Sequence, residues 1–313
     1  MLSRTADNLF WLARYMERAE NMARILEAGY RLAAMGIDVG AGDTEWHSTI
    51  VAAGCETGFY RKHRAATAAA AIDYLARDPD NPSSILSCIQ TARRNGRAVR
   101  TALSADMWDA VNGSWLQARN FTIEDFAPDT VRRILDWVKE RSLLFTGCVG
   151  STMLRNDAYW FTRLGTFLER ADSTARILDV KYNVLLPTYE AVGGALDYVQ
   201  WTAVLRAVSA GRGYHWIYRR EVKPWLVAEL LILKPEMPRS LAACFIEITR
   251  TLDLLAGAYG RPGEADRIAG QIHARLRYTR IDDIFQQGLH EFLTEFIDDN
   301  VRLGREVSKQ YLT

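Results

Sequence analysis

Apolar residues recur along this chain with helical spacing almost everywhere, and no stretch alternates with the period of two that marks a half-buried strand. The opening segment shows the pattern best. At about 100° per residue, Leu9, Leu12, Met16, Ala19, Ala23 and Leu26, with Trp11, Tyr15 and Met22, gather on one broad face. Glu17, Asn21 and Arg24 lie on the opposite side, flanked by Arg14 and Glu20. This helix is expected to run to about Met35, capped by Ser3 or Thr5, and the glycines of 36–42 end it. Further helices are expected at about 43–54, 66–77, 82–102, 104–118 and 129–146, with Asn81 as N-cap before Pro82 and Ser104 as the next cap. Residues 147–151 punctuate the middle. The remainder predicts helices at about 153–185, 188–209, 224–233, 238–258, 264–277 and 283–309. The fold class expected is all-α, a compact multi-helix bundle.

One segment occurs twice. Residues 1–27, MLSRTADNLFWLARYMERAENMARILE, align without a gap on residues 153–179, MLRNDAYWFTRLGTFLERADSTARILD. The match keeps Leu12/Leu164, Glu17/Glu169, Arg18/Arg170, Ala19/Ala171, Ala23/Ala175, Arg24/Arg176 and Leu26/Leu178, with Glu20 answered by Asp172. A second echo joins the run from Pro79 to Ser84, followed by Cys88, to the run from Pro235 to Ser240, followed by Cys244. The pattern is that of an internal duplication. It divides a single domain of 1–313 into two diverged helical halves, about 1–150 and 151–313.

The repeat singles out charges that would be interchangeable on a solvated helix face. Glu20→Arg24 and Asp172→Arg176 are spaced i,i+4 in the favourable order. Glu17 and Arg24 lie two turns, about 10 Å, apart and need partners on another helix. Docking of the halves about a pseudo-two-fold would bring Glu17 to Arg170 or Arg176, and Glu169 to Arg18 or Arg24. Two readings of Glu17, Arg18, Glu20, Arg24, Glu169, Arg170, Asp172 and Arg176 stay open. They form an interhelical ion-pair seam, or they line a cleft where carboxylates act as bases and arginines hold an anion.

A second cationic feature is Arg93, Arg97 and Arg100, at i, i+4 and i+7 on one predicted helix face. With Arg239 they are candidates for anion binding, unless the repeated carboxylates neutralise them. On the last predicted helix, Glu291, Glu295 and Asp298 share a face beside His290, but without the Glu-x-x-His or HExxH spacing of a metal site, so no metal is expected. The glycine-rich 36–42 lacks a P-loop's Lys-Ser/Thr, and no GxSxG occurs. Cys148, between glycines, would have a lowered pKa if it stood at a helix start.

Composition narrows the classes. Thirty-nine basic and 38 acidic residues leave a net charge of +1, which argues against a general nucleic-acid binder. Cys55, Cys88, Cys148 and Cys244 have no disulfide or zinc spacing, which fits a reducing, cytoplasmic setting. The opening lacks a signal-peptide core, and the most apolar run, Trp225–Leu233, is interrupted by Glu229 and too short to span a bilayer, so no membrane association is expected. No cofactor motif is present, and no catalytic constellation is complete.

These motifs resemble the bacterial alpha-E family of helical proteins. The resemblance rests on the opening MLSRTADNLFWLARYMERAENMAR, on Asn81-Pro82-Ser83-Ser84 with the arginine helix that follows, on WFTRLGTFLERADSTARILD, on Pro238-Arg239-Ser240 and on GLHEFLTEF, and so spans the chain. Gly96 stands where alanine is expected. The resemblance implies a setting rather than a reaction: a circularly permuted ATP-grasp ligase-like protein as partner, with a transglutaminase-like peptidase and a proteasome-like β subunit as further associates. The expected function is that of a non-catalytic helical component of an amidoligase-type system that makes or processes peptide or amide bonds. The rival reading is an enzyme acting on a peptide or aminoacyl intermediate in a Glu/Arg cleft. A third is a purely structural homo-oligomer.

Overall fold

In the computed structural model, residues 1–34, 45–184, 195–260 and 262–312 are described. Among them the chain is helical, with no strand. The helices are α1 (Ser3–Ala33), α2 (Glu45–Ala52), α3 (Glu56–Tyr60), α4 (Ala68–Ala76), α5 (Ile85–Ala98), α6 (Ala105–Ala118), α7 (Val131–Thr152), α8 (Asp157–Val184), α9 (Ala195–Ala207), α10 (Gly211–Tyr218), α11 (Pro224–Ile232), α12 (Leu241–Tyr259), α13 (Glu264–Tyr278), α14 (Ile281–Gln287) and α15 (Leu289–Val307).

Two long helices organise the rest. α1 and α8 run side by side in the same direction. The Met1 ammonium meets Asp157 at 3.0 Å at their beginnings. Further along, Gly165 lies so close to α1 that a Cβ on it would stand 2.3 Å from the Phe10 carbonyl oxygen. α5 and α7 flank α1, while α12 and α15 flank α8; α6 bridges α5 and α7 as α13 bridges α12 and α15. α2 and α9 each contact both central helices. The order of contacts in the first part of the chain therefore recurs in the second. The main apolar core draws on both parts, with Leu9, Phe10, Ile50 and Ile89 beside Leu164, Leu205, Phe245 and Phe296. A smaller cluster around Leu12, Met16, Met107, Phe145 and Val149 fills the space between α1, α5, α6 and α7.

Local sequence explains the matching turns. Before α5, the Ser84 hydroxyl accepts from the Ser87 amide; before α12, the Ser240 hydroxyl accepts from the Ala243 amide. After α2, Gly54 adopts φ 66° and the Cys55 amide donates back to the Ile50 carbonyl at 3.1 Å. After α9, Ser209 adopts φ 58° and Ala210 donates back to Leu205 at 2.7 Å. Both ends use a left-handed residue to close the helix.

Several sequence expectations need correction. α1 begins after Leu2 with no side-chain cap, so neither Ser3 nor Thr5 serves. The N-cap of α5 is Ser84 rather than Asn81, whose side-chain oxygen instead accepts from the Ser83 amide in the preceding turn. α7 continues through 147–151, because Phe145 and Val149 keep its buried face in register and Gly147 and Gly150 face open space. α3 and α10 are too short to show a period. The segment expected as one helix over 283–309 is two, broken where Gly288 adopts φ 106°. The glycine-rich stretch 36–42 lies outside the described residues.

Candidate functional site

The repeated charges meet at the crossing of α1 and α8. Because the two helices run parallel, the Glu-Arg dipeptide of each lies beside that of the other, and the pairing is reciprocal. Arg170 donates to Glu17 through Nε at 2.9 Å and Nη2 at 2.8 Å. Arg18 donates to Glu169 through Nε at 2.6 Å and Nη2 at 3.0 Å. Both are two-point forks, the geometry that distinguishes arginine from lysine.

Each glutamate takes a second arginine, and here the halves differ. Glu17 accepts from Arg239 Nη1 at 2.9 Å, from the turn before α12. Glu169 accepts from Arg14 Nε at 2.7 Å, from α1 itself. Thr174 holds the Arg239 backbone by donating to its carbonyl at 2.8 Å. The i,i+4 pairs form as well: Arg24 Nε donates to Glu20 at 2.8 Å, and Arg176 Nε to Asp172 at 2.6 Å. Glu20 also accepts from the Ser142 hydroxyl of α7 at 2.6 Å and from Arg239.

The third charge of each repeat reaches across to the other part of the chain. Arg24 Nη1 donates to the Ala207 carbonyl at 2.6 Å and to the Ser209 hydroxyl at 3.0 Å, at the turn after α9. Arg176 lies against the turn after α2, where a Cβ on Gly54 would stand 3.0 Å from its Nη1. One turn farther along α1, Glu27 binds Lys139 of α7 at 2.6 Å. At the aligned position of α8, Asp179 meets the His290 ring of α15 at 2.6 Å.

Glu17, Glu20, Glu169 and Arg24 are each at most 5% exposed. α1 is thus buried on its polar side too, where an amphipathic reading places water. Burial alone would raise the carboxyl pKa values. Arg18 and Arg14 outweigh it at Glu169 and hold that carboxyl at about 2. Arg239 and Arg24 do the same at Glu20, again to about 2. Burial, and then the neighbouring Arg239, lower the pKa of Arg24. Beneath the two forks lie Cys88 of α5 and Cys244 of α12, both fully buried, with burial pushing each thiol up to about 12. A carboxylate held at 2 under two guanidinium groups is a poor base, and a thiol at 12 is a poor nucleophile. None of Glu17, Glu20, Glu169, Cys88 and Cys244 lines the cavities of about 470, 640 and 690 Å³, the first of which reaches Glu27 farther along α1.

The other candidates disperse. α5 ends at Ala98, so the expected i+7 stripe breaks, and Arg100 lies in the 3₁₀ turn Arg100–Ala102. Arg93 donates to Asn112 at 2.9 Å, Arg97 is exposed, and the Arg100 guanidinium stands 5.0 Å from the Trp108 ring centre. Arg239 leaves this group for the ion-pair seam. Cys148 sits well inside α7 rather than at a helix start, and burial, with Asp106 nearby, raises its pKa rather than lowering it. On α15, Glu295 pairs with Arg275 at 2.7 Å, and Asp299 pairs with Arg302 at 2.8 Å. Sequence reasoning missed Arg14, Ser142 and Ser209 as members of the seam. Arg14 had a signal in its flanking wheel position; an isolated serine gives none.

Fold and seam together define a class: an all-helical protein held at its centre by reciprocal Glu-Arg pairs. The chain belongs to the Alpha-E family, a predicted alpha-helical domain with a conserved ER motif, which matches residues 1–312. It is similar to an uncharacterized protein of Mycobacterium bovis and to two from strains of Mycobacterium tuberculosis, at 23% identity over 318 aligned residues in each case. These alignments cover 94% of this chain and 35% of each relative, so the chain spans about a third of the length of the curated relatives it matches. No solved structure matches the chain. Among the described residues, no helix is long and apolar enough to cross a membrane.

Proposed function

We propose that this chain is a non-catalytic helical component that works with a second protein, an ATP-grasp amidoligase-type enzyme, in making or processing peptide or amide bonds in the cytoplasm. The observation that carries the reading is the state of the repeated glutamates. Glu17 and Glu169 are buried, and each is held by two arginines, which supports a structural rather than an acid–base role for the repeated motif in this chain. The relatives support a modular role, since some two thirds of each lies outside the match. The rival reading, an enzyme with a Glu/Arg cleft, requires these groups to open onto a cavity, and they are packed instead. We also infer that the halves arose by duplication. The shared segment, the recurring contact order and the paired turns at Gly54 and Ser209 support this origin.

The test is co-expression of the tagged chain with a circularly permuted ATP-grasp ligase-like protein, the partner that the family resemblance implies. Co-purification, and a change in ATP-dependent product formation when the chain is added, are expected. A ligase-like protein that neither binds the chain nor responds to it would overturn the proposal.

A further inference from the structure

Away from the seam, a cavity of about 640 Å³ opens between α11, α12, α13 and α14. Its size falls within the ordinary range for small-molecule sites. Leu233, Ala242, Ile246, Leu276 and Ile281 give it an apolar floor, and Ile246 is 39% exposed there, without an apolar cover. Arg277 and Arg280, both exposed, and the half-buried His273 also line it.

The charges around this cavity are unevenly matched. Glu229 is already engaged, accepting from the Tyr218 hydroxyl at 2.8 Å and pairing with Lys234 at 3.0 Å. Asp282 reaches Arg280 only at 3.9 Å, with both side chains exposed. Arg277 has no carboxylate partner among the described residues; its guanidinium rests 5.6 Å from the Tyr278 ring centre. An apolar slot ending at under-neutralised guanidinium groups complements a molecule with an apolar body and one anionic end.

We propose that this cavity binds a small apolar carboxylate, such as an N-acylated apolar amino acid or the free carboxyl end of a peptide chain. The apolar group would lie on Ile246, Leu233 and Ile281, and the carboxylate would face the Arg277 and Arg280 forks. A planar monoanion suits those forks, whereas the nearby Glu229 and Asp282 weigh against a doubly charged group such as phosphate. None of its lining residues belongs to the Glu-Arg seam, and its occupation requires no second protein, so it stands or falls apart from the partnership proposed above.

The experiment titrates the full chain with N-acetyl-L-leucine, N-acetyl-L-leucinamide and inorganic phosphate, using saturation-transfer NMR and the His273 ring resonances. N-acetyl-L-leucine should bind saturably and shift His273. The amide, which lacks the charge, should bind about tenfold more weakly. Arg277→Ala and Arg280→Ala, both exposed and so expected to fold as the wild type does, should each weaken the carboxylate with little effect on the amide. Arg206→Ala, at the separate 470 Å³ cavity, should change nothing. Equal binding of the amide would mean an apolar slot only. Equal binding of phosphate would mean non-specific anion attraction. Loss in Arg206→Ala, or indifference to Arg277→Ala, would place the ligand elsewhere. Each of these results overturns the proposal, as does no binding at all.

Discussion

At the scale of single residues, the seam places a large share of stability on a few charges. Removing one partner of a buried ion pair strands the other, at a cost of about 3–5 kcal/mol. Glu169→Gln leaves Arg18 and Arg14 facing a neutral group, and Glu17→Gln does the same to Arg170 and Arg239. Both substitutions should lower the unfolding free energy read from urea denaturation by an amount in that range, with helical content intact in the absence of urea. An unchanged midpoint together with lost stimulation of a partner would move the motif from the fold to a functional surface. Two seam carboxyls, Glu20 and Glu169, add an acid limit. Glu20 and Glu169 titrate near 2 in the folded chain and near 4.3 when unfolded, so their contribution is complete above the higher value. It is lost as protons bind the unfolded form preferentially. The melting temperature should therefore hold between about pH 7 and 5, then fall steeply between about 4.3 and 2. Glu169→Gln, already lacking one such group, should show a shallower fall; an equal slope would remove Glu169 from this account.

At the scale of elements, two kinds of helical glycine should respond oppositely. Gly165 permits the close approach of α8 to the α1 backbone, and a methyl group there meets a carbonyl that cannot rotate away. Gly165→Ala should cost about 1–3 kcal/mol. Gly150 faces open space inside α7, so Gly150→Ala should gain about 0.5–1 kcal/mol from helix propensity alone. Equilibrium denaturation of the two variants reads both signs, and a stabilised Gly165→Ala would show that the helices can part without penalty. Most elements were legible from apolar period and capping residues, as Ser104 before α6 illustrates. The misreadings have local causes. A Pro after Asn81 mimics a helix start, although the hydroxyl that caps α5 is three residues on. Gly288 lies in a run whose apolar period does not falter, so only its left-handed backbone marks the break.

For the whole molecule, α1 is central to both parts of the chain: it packs on α5 and α7 of its own half, and on α8 and α9 of the other. Fragments 1–152 and 153–313 should therefore each fail to fold alone and recover helical content when mixed, as read by circular dichroism and size-exclusion chromatography. A stable, monomeric fragment in either case would refute this interdependence. This scale was the hardest to read in the sequence. The polar side of α1 has the pattern of a solvated face, and only the recurrence of Glu17, Arg18 and Arg24 at 169, 170 and 176 hinted that it meets protein. The recurrence pointed to the pairing across the seam. It could not reveal Arg14 or Arg239 as the second donors, because those contacts differ between the halves.

The reciprocal fork at the centre also constrains how the chain can vary. Elsewhere the two parts of the chain differ in sequence, and each helix answers to its own neighbours. Glu17 and Arg18, however, are read by Arg170 and Glu169, so each dipeptide is the template against which the other is tested. Glu17→Arg alone sets like charges face to face, while Glu17→Arg with Arg170→Glu restores opposite signs across that fork and leaves Arg239 as the like-charged neighbour. The two motifs are therefore tied as a base pair is tied, and neither strand of that pair can be rewritten without its complement.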